Sequence, residues 1–424
     1  MIVFYVLVSV MPFIQHPLWS YFVGDLTLFK VAGVVCLVYA AGYLVVRPSP
    51  PKLFRTPQAW WTVAFLLAGV ASALTLSGSA PFGESPLLRS LSFLLLFVIT
   101  QIVVDSTERL RWVLLVAIGS MGYASLHIFR EWQKYGGFAA GYRPGWITGD
   151  PNYFSLSALF CISFAFYLIR PGQPRWERYF CLGSLGLTLL ALTLASSRGG
   201  LLGLIVSSLL VAWRSRRRLK VLALVCVLLF PLMVISPSSP LTRLLAPDRS
   251  DQEATDQRLA LWTAGLRMVQ SNPLTGIGVG NFKSLVRRYA APGERLELHA
   301  HNTYVQIVAE MGIPVFLLFL GAVIGAFLSA GHVYHTATGP GSLFVRRAAA
   351  GIQTGLLGFA VAAFFVSADY HRLFWLVIFL SACLPALARG RARGRPSRMT
   401  SRKETASWHA REQVLDRVEP RRQP

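Results

Sequence analysis

Long apolar runs recur along almost the whole chain and set the expected architecture. Runs such as 31–46, 60–76, 221–235 and 315–328 mostly lack the polar face that a soluble core helix shows at 3.6-residue spacing. Each run approaches the roughly 20 residues that cross about 30 Å of hydrocarbon as a helix. We therefore predict an all-α, polytopic integral membrane protein.

The same pattern predicts about twelve transmembrane helices. Their centres lie near residues 8, 37, 67, 96, 119, 162, 187, 206, 228, 317, 359 and 378. Pro12 and Pro17 shorten the first of them. The amino terminus shows no basic leader and no small-residue cleavage site, so we expect a retained first span instead of a cleaved signal peptide.

Composition agrees with a membrane protein, since 54% of the residues are hydrophobic and 14% are charged. Five cysteines fall inside apolar runs without ligand-like spacing, and we expect them to be small core residues. They are Cys36, Cys161, Cys181, Cys226 and Cys383.

The net charge of +22 would suggest a nucleic-acid partner in a soluble protein, but here it has a topological explanation. Lys and Arg gather on alternate loops, at 47–55, 109–111, 170–178, 214–220 and 346–347, and again in the tail. The positive-inside rule then places both termini in the cytoplasm. It places the loop 143–152, the turn 196–200 and the long segment of about 237–302 outside.

Residues 1–388 are predicted to form a single transmembrane domain. The tail 389–424 is rich in arginine and poor in apolar residues, so we expect it to be disordered. It is either a solvated tail that fixes topology or a contact with the inner leaflet.

The external segment contains a predicted surface helix over 258–269. The spacing of Leu259, Trp262, Leu266 and Val269 puts them on one helical face, which can lie along the bilayer surface. The helix should end before Pro273. We expect the glycine-rich stretch 276–282 to be a flexible turn, and it lacks the strand-helix context of a dinucleotide site.

Three external residues could carry chemistry: Arg198, Arg258 and His301. Arginine is well shaped to hold phosphate through paired hydrogen bonds, and it stays charged when partly desolvated. Gly199 and Gly200 would let a bulky headgroup approach the backbone beside Arg198. The imidazole of His301 titrates near neutrality and could remove a proton from a sugar hydroxyl.

Each of these residues also has a structural interpretation. Arg198 could be an ordinary interfacial arginine that reaches to water. Arg258 could pair with Asp256, Glu253 or a lipid phosphate, and His301 could be a hydrogen-bonded structural residue. Charge and residue type alone leave these alternatives open.

Supporting candidates flank the three residues. Asp150 and Asn152 are typical of a turn and helix start, or they could bind a sugar or orient the histidine. His299 offers a second imidazole, but no third ligand sits at metal-site spacing, so we expect no zinc. Glu310 lies about two turns inside the apolar run and is expected to pair with an arginine.

In combination, these motifs resemble the O-antigen ligase and O-antigen polymerase superfamily over about 148–328. The motifs are Ser196-Ser197-Arg198-Gly199-Gly200, Arg258 with Trp262, the stretch 272–282, His299-Ala300-His301-Asn302 and Glu310-Met311-Gly312. The ligase signature of His-Asn, nine residues and Gly is met by His301, Asn302 and Gly312. Its usual closing Gly or Thr is Val315 here, which weakens the distinction between ligase and polymerase.

The resemblance implies a glycosyltransferase of the bacterial inner membrane that uses an undecaprenyl-diphosphate-linked glycan on the periplasmic face. His301 would be the general base, and Arg198 and Arg258 the diphosphate contacts. Because a diphosphate is already a competent leaving group, neither a metal nor a soluble cofactor is expected. One displacement at the anomeric carbon implies inversion.

Four functions remain to be distinguished within and beyond this class. The first is O-antigen ligation to the lipid A core, and the second is polymerisation of O-antigen or exopolysaccharide. A secondary transporter is a different class, although its ionisable groups should lie near the membrane midplane, whereas most distinctive residues here lie near predicted span ends. A scaffold in an envelope-polysaccharide complex would not depend on His301.

Overall fold

The structure is a computed structural model. It describes residues 1–13, 28–46, 56–76, 85–135, 142–170, 172–215, 218–219, 249–292, 294, 296–339 and 341–389. The ninth predicted span near residue 228, the proline-rich start of the external segment and the basic tail lie outside these residues. The described chain contains helices and no β-strand.

Thirteen α-helices make up the described chain. In order they are α1 Ile2–Val10, α2 Leu28–Val46, α3 Pro57–Thr75, α4 Pro86–Val103, α5 Thr107–Lys134, α6 Pro151–Leu168, α7 Arg175–Leu194, α8 Arg198–Arg214, α9 Arg249–Ser271, α10 Phe282–Tyr289, α11 Thr303–Thr336, α12 Ser342–Ala362 and α13 Arg372–Ala388. A 3₁₀ turn, Ala363–Phe365, extends α12.

Six of these helices are long and apolar enough to cross a membrane: α3, α4, α5, α6, α11 and α12 with its extension. The all-α membrane architecture is therefore confirmed. Eleven of the twelve predicted centres fall inside helices, but α1 has only 9 residues. Since α13 and the apolar part of α2 are also short, the described residues do not confirm about twelve spans.

Helix α12 is the centre of the bundle and packs against α6, α8, α11 and α13. Small residues bring it close to its neighbours. A Cβ atom at Gly203 of α8 would lie 2.6 Å from the carbonyl oxygen of Gly358 on α12. Close backbone approach between small residues is a common way for membrane helices to associate.

One end of the bundle is rich in arginine. The Arg111 guanidinium donates to the fully buried Glu177 carboxylate at 2.8 Å. Arg347 donates to the carbonyl of Ile169, at the end of α6, at 2.6 Å. These loops are the ones that the charge pattern assigns to the cytoplasm, and that orientation stays a prediction.

Helix α9 differs from the predicted surface helix. It begins at Arg249, so the polar stretch after residue 248 is helical, and it ends at Ser271 before Pro273 as expected. Leu261, Ala264 and Met268 form its packed face. Leu259 and Leu266 remain about half exposed on the opposite side. Trp262 and Val269 of the predicted apolar face also pack against this cluster, so only part of that face is left exposed.

The described cysteines behave as expected. Cys36, Cys161, Cys181 and Cys383 are buried and free. Cys226 lies outside the described residues.

Candidate functional site

Three helix starts and one helix end meet at the end of the bundle opposite the arginine-rich loops. Helices α6, α8 and α11 all begin here, and α12 ends here. Tyr153 of α6 donates from its hydroxyl to the carbonyl of Ser367 at 2.6 Å. Thr303 of α11 donates from its hydroxyl to the carbonyl of Val366 at 2.6 Å. The segment after α12 thus joins the two helix starts.

Side-chain caps fix each of these helix starts. Asp150 caps α6, Ser197 caps α8 and Asn302 caps α11, each by accepting hydrogen bonds from amides two or three residues further on. Such caps satisfy donors that a helix start leaves open. The predicted helix start at Asp150 is confirmed, and Asn302 has a structural role as a cap.

Asn152 links the start of α6 to the start of α8, where Arg198 lies. Its Oδ1 accepts a hydrogen bond from the Ser197 hydroxyl at 2.9 Å. Arg143 donates to the same oxygen at 3.5 Å and to the carbonyl of Ala195 at 3.4 Å. The sequence interpretation missed Arg143, although an arginine just before Pro-Gly in the same loop as Asp150 and Asn152 was a visible signal.

The glycines beside Arg198 have a different role from the one expected. A Cβ atom at Gly199 would lie 3.0 Å from the Phe365 ring, and one at Gly200 would lie 2.6 Å from the Ser155 Cβ. Both positions face protein atoms inside the first turn of α8. The expectation that a lipid headgroup approaches the backbone here is wrong, because neighbouring helices fill that space.

Backbone strain coincides with this site. Within the described chain, the non-glycine residues with positive φ are Ser196 at 54° and His301 at 48°. Each immediately precedes a capping residue, Ser197 or Asn302. Left-handed conformations of non-glycine residues are costly and concentrate at functional sites.

His301 lies in an electrostatic field shared with two other predicted site residues. Burial lowers the pKa of its imidazole below the usual range, the positive charge of Arg258 lowers it further, and Asp150 opposes both. The ring is half-buried. No hydrogen bond of the ring is found within the described chain. A neutral imidazole with an available nitrogen can accept a proton.

The loop that carries His301 is held from two sides. Trp262 of α9 donates from its indole nitrogen to the carbonyl of Ala300 at 2.9 Å. The amide of Ala300 donates to the buried Gln306 of α11 at 3.0 Å. Trp262 therefore acts by fixing the backbone next to the histidine.

His299 lies on the other side of Ala300. Burial lowers its pKa, and the charges of Lys283, His301 and Arg89 lower it further. The charges that act on His299 thus come from α10, which carries Lys283, and from α4, which carries Arg89. Arg89 was not singled out in the sequence, because an arginine in the first turn of an apolar helix looks like an ordinary interfacial residue.

Glu310 fastens the glycine-rich segment to α11. Its carboxyl oxygens accept hydrogen bonds from the amide of Gly280 at 2.9 Å, the amide of Phe282 at 3.1 Å and the side chain of Gln306 at 2.6 Å. The residue is 1% exposed. The expected arginine partner is wrong for the described chain, where backbone amides take that place.

The segment 276–282 is also not the flexible turn that the sequence suggested. The amides of Ile277 and Gly278 donate to carbonyl oxygens of α11, at Ala309 and Glu310. Gly312, with φ of 80°, interrupts α11, and a Cβ atom there would lie 2.4 Å from the carbonyl oxygen of Leu274. Two backbones therefore lie in direct contact, which glycine alone permits.

Comparison with known proteins gives one finding that bears on this site. Residues 183–320 match the family model described as O-antigen ligase. The matched region begins in α7 and includes Arg198, Arg258, His301 and the glycine-rich segment. No curated protein matches the chain.

Proposed function

We propose, from the match of residues 183–320 to the O-antigen ligase family model, that the chain transfers a glycan from an undecaprenyl-diphosphate carrier to an acceptor hydroxyl. The membrane enzyme would act at the outer face of the bacterial inner membrane, with both termini in the cytoplasm. The observation that carries the proposal is the half-buried His301, whose pKa is influenced by Arg258 and Asp150.

The proposed reaction is one displacement. Arg198 and Arg258 hold the diphosphate of the donor, and His301 takes the proton from the acceptor hydroxyl. The acceptor oxygen then bonds to the anomeric carbon as the bond from that carbon to the diphosphate oxygen breaks. The lipid diphosphate leaves, stabilised by the two guanidinium groups, and the anomeric configuration inverts.

The fixed orientation of the base and of the anion contact also contributes to the rate in this proposal. Caps at Ser197 and Asn302 hold the residues next to Arg198 and His301 at fixed helix starts. The hydrogen bond from Trp262 fixes the backbone before the histidine. A pre-positioned base and anion contact lower the entropic part of the barrier.

The favoured acceptor is the lipid A core, which makes the enzyme an O-antigen ligase. Polymerisation of O-antigen or exopolysaccharide is the alternative within the same chemistry. The ligase signature does not separate them, because Asn302 caps α11 and Gly312 interrupts it. Both residues serve the fold that either enzyme would need.

Turnover by the full-length protein in liposomes tests the proposal. The substrate is an undecaprenyl-diphosphate-linked glycan with a lipid A–core acceptor. We expect His301→Ala to lose about 100-fold or more in rate, since positioned general bases contribute about 10²–10⁴-fold. His332→Ala, at an exposed histidine far along α11, is the matched control and should keep the wild-type rate.

Two outcomes would contradict the proposal. Equal turnover by His301→Ala and wild type would remove the proposed base. Solute uptake without consumption of the lipid-linked donor would favour a transporter. In cells, loss of the enzyme should leave long chains on the lipid carrier if it is a ligase, and a single repeat unit on the lipid A core if it is a polymerase.

A further inference from the structure

Helix α10 has one apolar side and one cationic side. Phe282 and Val286 are fully buried against α9 and the histidine loop. Lys283, Arg287 and Arg288 are exposed on the remaining surface. The apolar side of the helix is thus already buried in the protein, and the exposed side carries the three cations with Ser284.

The helix is firmly attached to the histidine loop. Its first amide, at Phe282, donates to Glu310. At its other end, Arg267 of α9 donates to the carbonyl of Tyr289 at 2.9 Å. Ala300, the residue before His301, belongs to the same hydrophobic cluster as Phe282. A ligand held on α10 would therefore keep a fixed position relative to the histidine.

The positive charges of this surface are poorly neutralised. Arg287 lies 3.9 Å from Glu297, but both side chains are mostly exposed, so the pair contributes little. Glu294 accepts a hydrogen bond from the amide of Ala291. Lys283 and Arg288 form no ion pair among the residues that the structure describes. Cations outnumber carboxylates on this face.

The cationic face extends toward the proposed base. The charge of Lys283 is the leading electrostatic influence on His299, and His301 acts on the same ring. Lys283 directly follows Phe282, which packs in the same cluster as Ala300 between the two histidines, so the cationic side begins beside the histidine loop. The remaining two cations lie one turn or more further along α10, a rise of about 6–8 Å.

We propose that Lys283, Arg287 and Arg288 form the acceptor-recognition surface, and that the acceptor is a saccharide bearing phosphate or carboxylate groups. This proposal rests on the proposed function, because the surface would present the acceptor hydroxyl to His301. Charge complementarity favours an anionic saccharide over a neutral one. The buried apolar side of α10 disfavours insertion of this helix into lipid.

A charge-removal variant tests the surface. The α10 variant combines Lys283→Gln, Arg287→Gln and Arg288→Gln. The control variant removes three exposed cations elsewhere, by Arg175→Gln, Arg178→Gln and Arg249→Gln. Two probes are used with the full-length protein: a lipid A–core preparation with its phosphates, and the same preparation after phosphatase treatment. Binding is measured in detergent, and KM in liposomes of zwitterionic lipid.

Wild type and the control variant should prefer the phosphorylated probe, and added salt should weaken that preference. In the α10 variant, the ratio of the affinities for the phosphorylated and the dephosphorylated probe should fall about 10-fold, as expected for three exposed charge contacts. Equal affinity of wild type for both probes would overturn the proposal. So would a preference unaltered in the α10 variant.

A third arm identifies a lipid contact. If the effect of the α10 variant appears only when anionic lipid is added to the vesicles, the cations bind headgroups and the proposal is overturned. The binding measurement needs no turnover. If wild type consumes no donor, the proposed function fails, while the probe preference still decides whether α10 recognises an anionic saccharide.

Discussion

Removal of the Glu310 carboxyl group should release the glycine-rich segment from α11. In Glu310→Ala, the amides of Gly280 and Phe282 and the side chain of Gln306 all lose their acceptor. A buried donor left without a partner costs about 1–3 kcal/mol. Gly280 is exposed, so water can replace its lost acceptor. The total loss of folding free energy from the three donors and the lost packing should therefore be about 3 kcal/mol.

Glu310→Gln should cost much less. The remaining oxygen can still accept from Phe282 and Gln306, while the new amide group faces Gly280, which loses its acceptor. Since water can replace that single bond, we expect about 1 kcal/mol. The two variants therefore separate the loss of one hydrogen bond from the loss of the whole anchor.

Thermal unfolding and hydrogen exchange of the full-length protein measure the effect. We expect Glu310→Ala to lower Tm by about 5 °C or more and Glu310→Gln by about 2 °C. Amides 277–282 should exchange faster in the alanine variant. Gln101→Ala is the control, because it removes one partly buried side-chain hydrogen bond, to the carbonyl of Phe379, away from this segment. Unchanged exchange over 277–282 in Glu310→Ala would refute the anchor.

Two further predictions concern the proposed base. Because burial and Arg258 lower the pKa of His301, the transfer rate should stay level near neutral pH and fall only below the usual histidine pKa of about 6.5. In normalised pH profiles, Arg258→Gln should move this fall in rate to higher pH, because the charge of Arg258 lowers the pKa of His301. Asp150→Asn should move it to lower pH, because Asp150 raises that pKa. A shift in the opposite direction for either variant would contradict these charge effects. Trp262→Phe removes the bond that fixes the carbonyl before the histidine, and a loss of about 1 kcal/mol predicts about a 5-fold lower kcat with a near-normal Tm. An unaltered kcat would show that this bond does not position the base.

Local signals predicted the parts of the fold that depend on neighbouring residues. Apolar run length located the helices, and the Asp-Pro-Asn motif gave the start of α6 with Asp150 as its cap. Pro273 correctly marked the end of α9. Each of these features follows from residues within a few positions of one another, which is why sequence patterns suffice.

Tertiary contacts decided the features that the sequence interpretation missed. Glycines at 276–282 signal backbone freedom, but they do not reveal that α11 supplies the acceptors for this segment. The partner of Glu310 depends on the same docking. Likewise, Gly199 and Gly200 could face a ligand or a helix, and only the position of Phe365 and Ser155 distinguishes the two.

Strained residues at Ser196, two positions before Arg198, and at His301 itself coincide with the helix starts that carry the candidate site. Ser196 and His301 adopt a backbone conformation that costs about 1–2 kcal/mol in residues with a Cβ atom. Each is followed by a cap, Ser197 or Asn302, whose hydrogen bonds to a long packed helix hold the turn in place. At His301, whose ring makes no hydrogen bond within the described chain, the capped helix start fixes the position of the backbone that carries the side chain. An imidazole carried in this way keeps its unprotonated ring nitrogen open to a substrate, as the proposed general base requires.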